Sequence, residues 1–234
     1  MQETDRLAAL KRVAILEQLP APRLSHLAAT CRWRSYNAGQ QIVNYQERST
    51  DVFFLTAGKV RVVVYSAEGK AVLFTDLGPG AMFGEIAAID KAARSAGIEA
   101  LNMSTVASLT ADQFDSLLLN EPVLALAVLR HVAAELRRLS ERVLEFSTLM
   151  VQNRIHAELL RLAADVGRRE GRVVVLSPAP SLSDIANRIS THREAVSREL
   201  SRLASIGLLR RDGGDLCMPN VERLERLVRE AKGE

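Results

Sequence analysis

At 234 residues with 47% apolar side chains, the chain is long enough for two modest domains with buried cores, which excludes a disordered polymer. Its 31 Lys and Arg against 28 Asp and Glu leave a mild +3, but His192, Arg193, Arg198, Arg202, Arg210 and Arg211 crowd one segment, as on a nucleic-acid surface or a solvated helix face. Cys31 and Cys217 lie far apart with no CxxC or Cys/His cluster, excluding a disulfide framework and a metal motif. The opening MQETDRLAAL lacks an apolar targeting core and no run reaches the roughly 18 apolar residues of a membrane span, so a cytoplasmic protein with no membrane partner is expected.

The first twenty or so residues read as one helix, with Leu7, Leu10, Val13, Ile15 and Leu16 at helical spacing and Pro20 and Pro22 closing it; a short helix, Ser25 to Cys31, follows. From Arg34 to about Leu109 the runs VFFL, KVRVVVY, AVLFTDL and STVASL alternate with AGQ, TAG, AEGK and GPG. Short strands joined by Gly turns suit a small antiparallel barrel or roll. Ala111 to Leu119 returns to a short helix with one apolar side.

A long helix is predicted from Glu121 to about Val151. In it Leu129, Val132, Leu136, Leu139, Val143, Phe146 and Met150 alternate at spacings of three and four, the a and d positions of a heptad. Such a stripe is either the core face of a domain helix or a dimer seam; its unbroken run between two domains favours a homodimer. Ile155 to Val166 is a further amphipathic helix, GRREGRVVVLSP a turn and a strand, and no internal repeat is evident.

Near the C-terminus, SLSDIANRI places Leu182, Ile185, Ala186 and Ile189 on one face, with Ser181 and Asp184 as a helix-start signature. Thr191 and Glu194 suggest a second capping box, opening a helix that buries Val196, Leu200 and Leu203. Its opposite arc carries Arg193, Glu194, Ser197, Arg198 and Ser201. An Arg fork can bind guanine O6 and N7, and a carboxylate can accept from the cytosine amino group; Glu194 is equally suited to plain capping. The pair reads as a helix-turn-helix whose second helix enters the major groove. IGLLRRDGGDLCM then reads as a strand, a Gly-Gly turn and a strand, a wing whose Arg210 and Arg211 contact phosphates.

These segments together resemble the cAMP receptor protein and fumarate-nitrate regulator superfamily of bacterial activators, over nearly the whole chain. ISTHREAVSREL looks like its recognition helix, with Thr191 and His192 at the DNA-facing start. FGEIAAIDKAARSA, Phe83 to Ala96, is similar to the phosphate-binding cassette of cyclic-nucleotide domains. In that pattern Gly84 permits close backbone approach, Glu85 accepts from a ribose hydroxyl, Arg94 pairs with the cyclic phosphate and Ser95 adds a hydroxyl bond. Read without the resemblance, Arg94 and Glu85 are equally a structural ion pair.

The resemblance implies an α+β fold: a jelly-roll-like cyclic-nucleotide-binding β-roll domain (1–121), a dimerisation helix (122–151) and a winged helix-turn-helix DNA-binding domain (152–234). It places Val62, Phe74 and Leu77 on the apolar side of a pocket that Phe83, Ile86, Ala87 and Ala96 help to line. The family caps the base with a Thr-Ser pair from the long helix. Here the dipeptide is Leu139-Ser140, which removes one polar contact of about 0.5–1.5 kcal/mol.

The expected effector is therefore cAMP, with cGMP as a second ligand that Ser95 could reach; a single N-terminal cysteine and the complete cassette argue against iron-sulfur or haem sensing. Expected partners are a palindromic double-stranded operator with TGTGA-like half-sites, a second copy of the chain, and RNA polymerase. Ligand in the roll would shift the helix pair and swing the recognition helices into successive grooves. The rivals are an enzyme hydrolysing the nucleotide, for which no metal cluster or activated nucleophile is visible, and a member binding DNA with another effector or none.

Overall fold

The β-branched runs of the first half pair into two antiparallel four-stranded sheets that face each other. The computed structural model describes residues 3–66, 69 and 71–233, and the chain divides into two units, Met1–Glu135 and Leu136–Glu234. The first contains α1 (Glu3–Leu10), a 3-10 turn (Ala14–Leu16), α2 (Ala21–Thr30), β1 (Arg32–Tyr36), β2 (Gln41–Val43), β3 (Val52–Ala57), β4 (Val60–Tyr65) and β5 (Ala71–Leu77). There follow β6 (Met82–Phe83), α3 (Glu85–Asp90), β7 (Gly97–Ala100), β8 (Ser104–Leu109), α4 (Ala111–Asn120) and α5 (Pro122–Thr148), which continues into the second unit.

The sheets run β1-β8-β3-β6 and β2-β7-β4-β5. Between them lies a core of Tyr36, Val43, Phe53, Leu55, Val60, Phe83, Ile98, Ala100 and Val106. On the outer face of the first sheet, Val52, Phe54, Ala107 and Leu109 pack with Leu10, Leu16, Leu24, Phe114, Leu124 and Val128 from the helices. Strand β3 is thus covered on both faces, and its period-two alternation divides it between two cores. Phe54 is fully buried, a burial that stabilises by about 1.5–3 kcal/mol. Trp33 packs against the helical core, donates its indole N–H to the Ala28 carbonyl at 3.2 Å and lies 5.8 Å beneath the Arg6 guanidinium.

Three boundaries differ from expectation. The N-terminal helix stops at Leu10, because the Ala14 N–H turns to the Gly80 carbonyl of the roll, 3.2 Å away. Pro20 and Pro22 start a helix instead of closing one: Pro20 is the N-cap of α2 and Pro22 sits in its first turn, where a missing N–H forfeits no intrahelical bond. The long helix ends at Thr148. There Leu149 turns inward and is buried, and Met150 leaves the heptad to become the extended N-cap of the next helix, with φ −61° and ψ 154°; the predicted seam therefore loses its last position.

Of the other seam residues, Leu129, Leu136 and Val143 are 64–65% exposed. Leu139 and Phe146 are also exposed, while Val132 packs partly on the helical core of the first unit. The second unit continues with α6 (Val151–Val166), β9 (Arg168–Glu170), β10 (Val173–Leu176), α7 (Leu182–Arg188), α8 (Arg193–Ser205), β11 (Arg210–Asp212), β12 (Asp215–Met218) and α9 (Val221–Lys232). Its sheet order is β11-β12-β10-β9, and its core joins Ile155, Leu159, Leu176, Ile185, Ile189, Val196, Leu203 and Leu208. Burial pushes the Cys31 thiol up to about 12. Among the described residues no single helix is long and apolar enough to cross a membrane.

Candidate effector pocket and nucleic-acid interface

The cassette begins where β6 pairs with β3, Phe53 opposite Phe83, their rings stacked at 5.0 Å. The chain then reverses through Gly84, whose φ of +84° is the left-handed region, into α3. A Cβ there would lie 2.7 Å from Arg94 Nη1 and 2.8 Å from the Asp51 carbonyl. Both the conformation and the close approach demand glycine.

Arg94 is 3% exposed. Its Nη1 donates to the Gly84 carbonyl at 2.9 Å, its Nη2 to the Asp51 carbonyl at 2.8 Å and its Nε to the Ser49 hydroxyl at 3.0 Å, and its guanidinium lies 5.6 Å from the Phe53 ring centroid. Burial lowers its proton affinity, opposed by Glu47, Asp51 and Glu85. Glu47, hydrogen-bonded to Ser49 and Asn44, is held below the usual carboxylate range. The segment Asn44–Asp51 is thus a cradle that presents a buried cation.

Glu85 is buried beside Arg94, but the side chain within ion-pair range of it is His131 on α5, at 3.8 Å. Desolvation pushes the Glu85 carboxyl up, opposed by its own backbone hydrogen bond and by His131, with Glu135 adding to the rise. Of the other predicted pocket residues, Val62 and Leu77 pack on the roll core with Phe83. Phe74 is half-buried and is the extra residue of a β-bulge between the pairs Val62–Thr75 and Val63–Leu73. Ala87 is buried, Ala96 half-buried, and Ile86 and Ser95 exposed. Leu139 and Ser140 lie in the second unit, where the Ser140 hydroxyl donates to the Leu136 carbonyl at 2.9 Å.

Gly84→Ala should lower the melting temperature by roughly 5–10 °C, from a left-handed alanine plus displacement of Arg94. Differential scanning calorimetry checks it; an unchanged melting curve would show the turn to be adaptable.

In the second unit, Ser181 caps α7 by accepting from the Asp184 N–H at 2.9 Å. The second predicted capping box does not form: the N-cap of α8 is His192, with no side-chain cap. Thr191 is held in the turn, its N–H donating to the Ala186 carbonyl at 3.0 Å behind Ser190 at φ +52°, so the helix begins one residue later than the motif requires. His192, Arg193, Glu194, Ser197, Arg198 and Ser201 are all exposed, and Val196, Leu200 and Leu203 buried. The wing is a two-residue hairpin at Gly213-Gly214, Asp212 opposite Asp215; Arg211 is exposed and Arg210 contacts Asp212 at 3.3 Å.

Sequence reasoning missed what fastens α8. His156 Nε2 lies 2.5 Å from Glu199 Oε1, and Arg202 Nε and Nη2 donate to the same carboxylate. Burial raises Glu199, but its bonds to Arg202 and His156 outweigh that and hold it low. Ser49 and Asp51 were equally invisible, being more than forty residues from the arginine they hold.

Residues 33–121 match the cyclic nucleotide-binding domain family and residues 153–227 the Crp-like helix-turn-helix domain family. The CRP-like cAMP-activated global transcriptional regulator of Mycobacterium tuberculosis is 24% identical over 220 residues, 94% of this chain and 98% of its own. The cyclic AMP receptor protein of Thermus thermophilus is 30% identical over 201 residues, covering 83% of this chain and 87% of that one. The structure of CLP, a c-di-GMP responsive global regulator of Xanthomonas campestris, superposes with a TM-score of 0.73 over 85% of this chain and 99% of its own, at 17% identity, a likeness of fold. The chain therefore belongs to the CRP/FNR superfamily and is a DNA-binding transcription regulator with a cyclic nucleotide-binding domain.

Proposed function

We propose that the protein is a homodimeric regulator that binds cAMP, with cGMP as a second ligand, and then grips a palindromic operator with TGTGA-like half-sites. The observation that carries the effector reading is the buried Arg94 beside Gly84. Three of its five N–H groups are engaged, which leaves one on each terminal nitrogen for an anionic cyclic phosphate. Glu85 would take the ribose hydroxyl, Ser95 would add to the phosphate, and Val62, Phe74 and Leu77 would face the base.

On the DNA side, Arg193, Glu194 and Arg198 read base edges, with Thr191, His192, Ser197, Arg210 and Arg211 positioning the protein. The exposed seam supplies the two-fold axis that a palindrome requires. DNA-bound dimers would then act with RNA polymerase in the cytoplasm.

A second effector reading has its own support: by the resemblance, Leu139 stands at the sequence position where the family has a hydroxyl for the base, and a regulator of the same fold, CLP, is c-di-GMP responsive. The experiment is fluorescence anisotropy of a labelled TGTGA palindrome at fixed salt, without nucleotide and with cAMP, cGMP or c-di-GMP. Tightening by cAMP is expected, by roughly 5–150-fold. Tightening by c-di-GMP alone would replace the effector, and identical curves would remove effector control while leaving DNA binding intact.

A further inference from the structure

The last turns of α5 are joined to three other helices of the second unit by a largely buried ionic cluster. Glu145, 6% exposed, accepts from both terminal nitrogens of Arg161 on α6 at 2.9 Å, and its other oxygen lies 3.1 Å from Lys232 Nζ at the end of α9. Arg161 also donates through Nε to Glu158 at 3.1 Å, and Glu158 lies 3.8 Å from Arg188 on α7. One turn earlier, Arg142 donates to the Arg188 carbonyl, and Arg154 to the neighbouring Ile189 carbonyl at 3.2 Å. These carbonyls end α7 immediately before the turn into α8.

Phe146 belongs to this cluster as well as to the apolar seam. The guanidinium groups of Arg142 and Arg154 lie 5.8 and 5.5 Å from its ring centroid. The side chain at a d position is therefore gripped by the same arginines that hold the end of α7, and any change in helix pairing at Phe146 is felt there.

We infer that Glu145 and Phe146 are positioning residues that fasten the helix-turn-helix to the end of the long helix, so that displacement of that helix reaches α8 instead of being absorbed at the junction Leu149–Met150. A carboxylate shared by a guanidinium and an ammonium ion loses both charge-assisted contacts when neutralised, so the end of α5 is released from α6 and α9 together. The inference rests on the effector-controlled reading above.

The test compares wild type, Glu145→Gln and Arg161→Lys, the last keeping the charge but not the fork. Operator affinity is measured with and without cAMP, and cAMP affinity separately. The expected result is that the ratio of the two operator affinities collapses toward one in Glu145→Gln and shrinks in Arg161→Lys, with cAMP affinity unchanged. An unchanged ratio in both variants, or equal weakening of both operator affinities, overturns the inference. If wild type itself shows no cAMP effect, the effector reading has failed, and amide exchange of residues 148–151 decides the fastening alone: faster in Glu145→Gln supports it, unchanged overturns it.

Discussion

Arg94→Ala is expected to lower cyclic-nucleotide affinity by roughly 10–150-fold, the equivalent of the about 1.5–3 kcal/mol of a hydrogen bond to a charged group. The same change orphans the Gly84 and Asp51 carbonyls that the guanidinium now satisfies, so the first unit also loses stability. Arg94→Lys retains the charge without the fork and falls between the two. Isothermal titration with cAMP, beside a melting curve for each variant, separates lost binding from lost folding. A folded alanine variant that binds nucleotide like wild type would show that Arg94 only buttresses the turn, and the effector site would have to lie elsewhere.

Leu136→Glu should convert a dimer into folded monomers. Leu136 is 65% exposed and is absent from the buried clusters of both units, so its replacement leaves each core intact. Across a two-fold seam the substitution sets one glutamate against its symmetry mate where two leucines would have met, exchanging apolar burial for like-charge repulsion. Two half-site contacts then cease to be linked, and affinity for the palindrome drops by about 10²–10⁴-fold while a single half-site is bound as before. Sedimentation equilibrium and anisotropy on full and half sites check both statements. A variant that still sediments as a dimer would move the interface off this stripe.

What could be read without coordinates was whatever is encoded locally. The runs at Val52, Val60, Ala71 and Ser104 announce strands because β-branched density and Gly turns are neighbours in sequence, and the stripe from Leu129 to Phe146 announces an apolar helix face because its period is internal. The Phe83–Ala96 segment was legible as a pattern, but its chemistry was not: Ser49 and Asp51 reach Arg94, and His131 reaches Glu85, only after the sheets close. Local signals misled where tertiary contacts compete with them. Pro20 and Pro22 carry the same ambiguity that any proline carries between starting and stopping a helix. The Thr191–Glu194 pair had the spacing of a capping box, yet the tight turn had already committed the Thr191 N–H to Ala186. Met150 kept the heptad count while Leu149, one residue earlier, ended the helix by being buried.

Trp33 is the chain's one tryptophan, and it packs half-buried against the helical core of the first unit, tied to Ala28 and Arg6. Nature has thereby installed a single optical label on one of the two units. Indole emission follows the melting of the first unit alone, whereas far-ultraviolet dichroism sums the helices of both, so any gap between the two signals measures directly how independently the sensing and DNA-reading halves come apart.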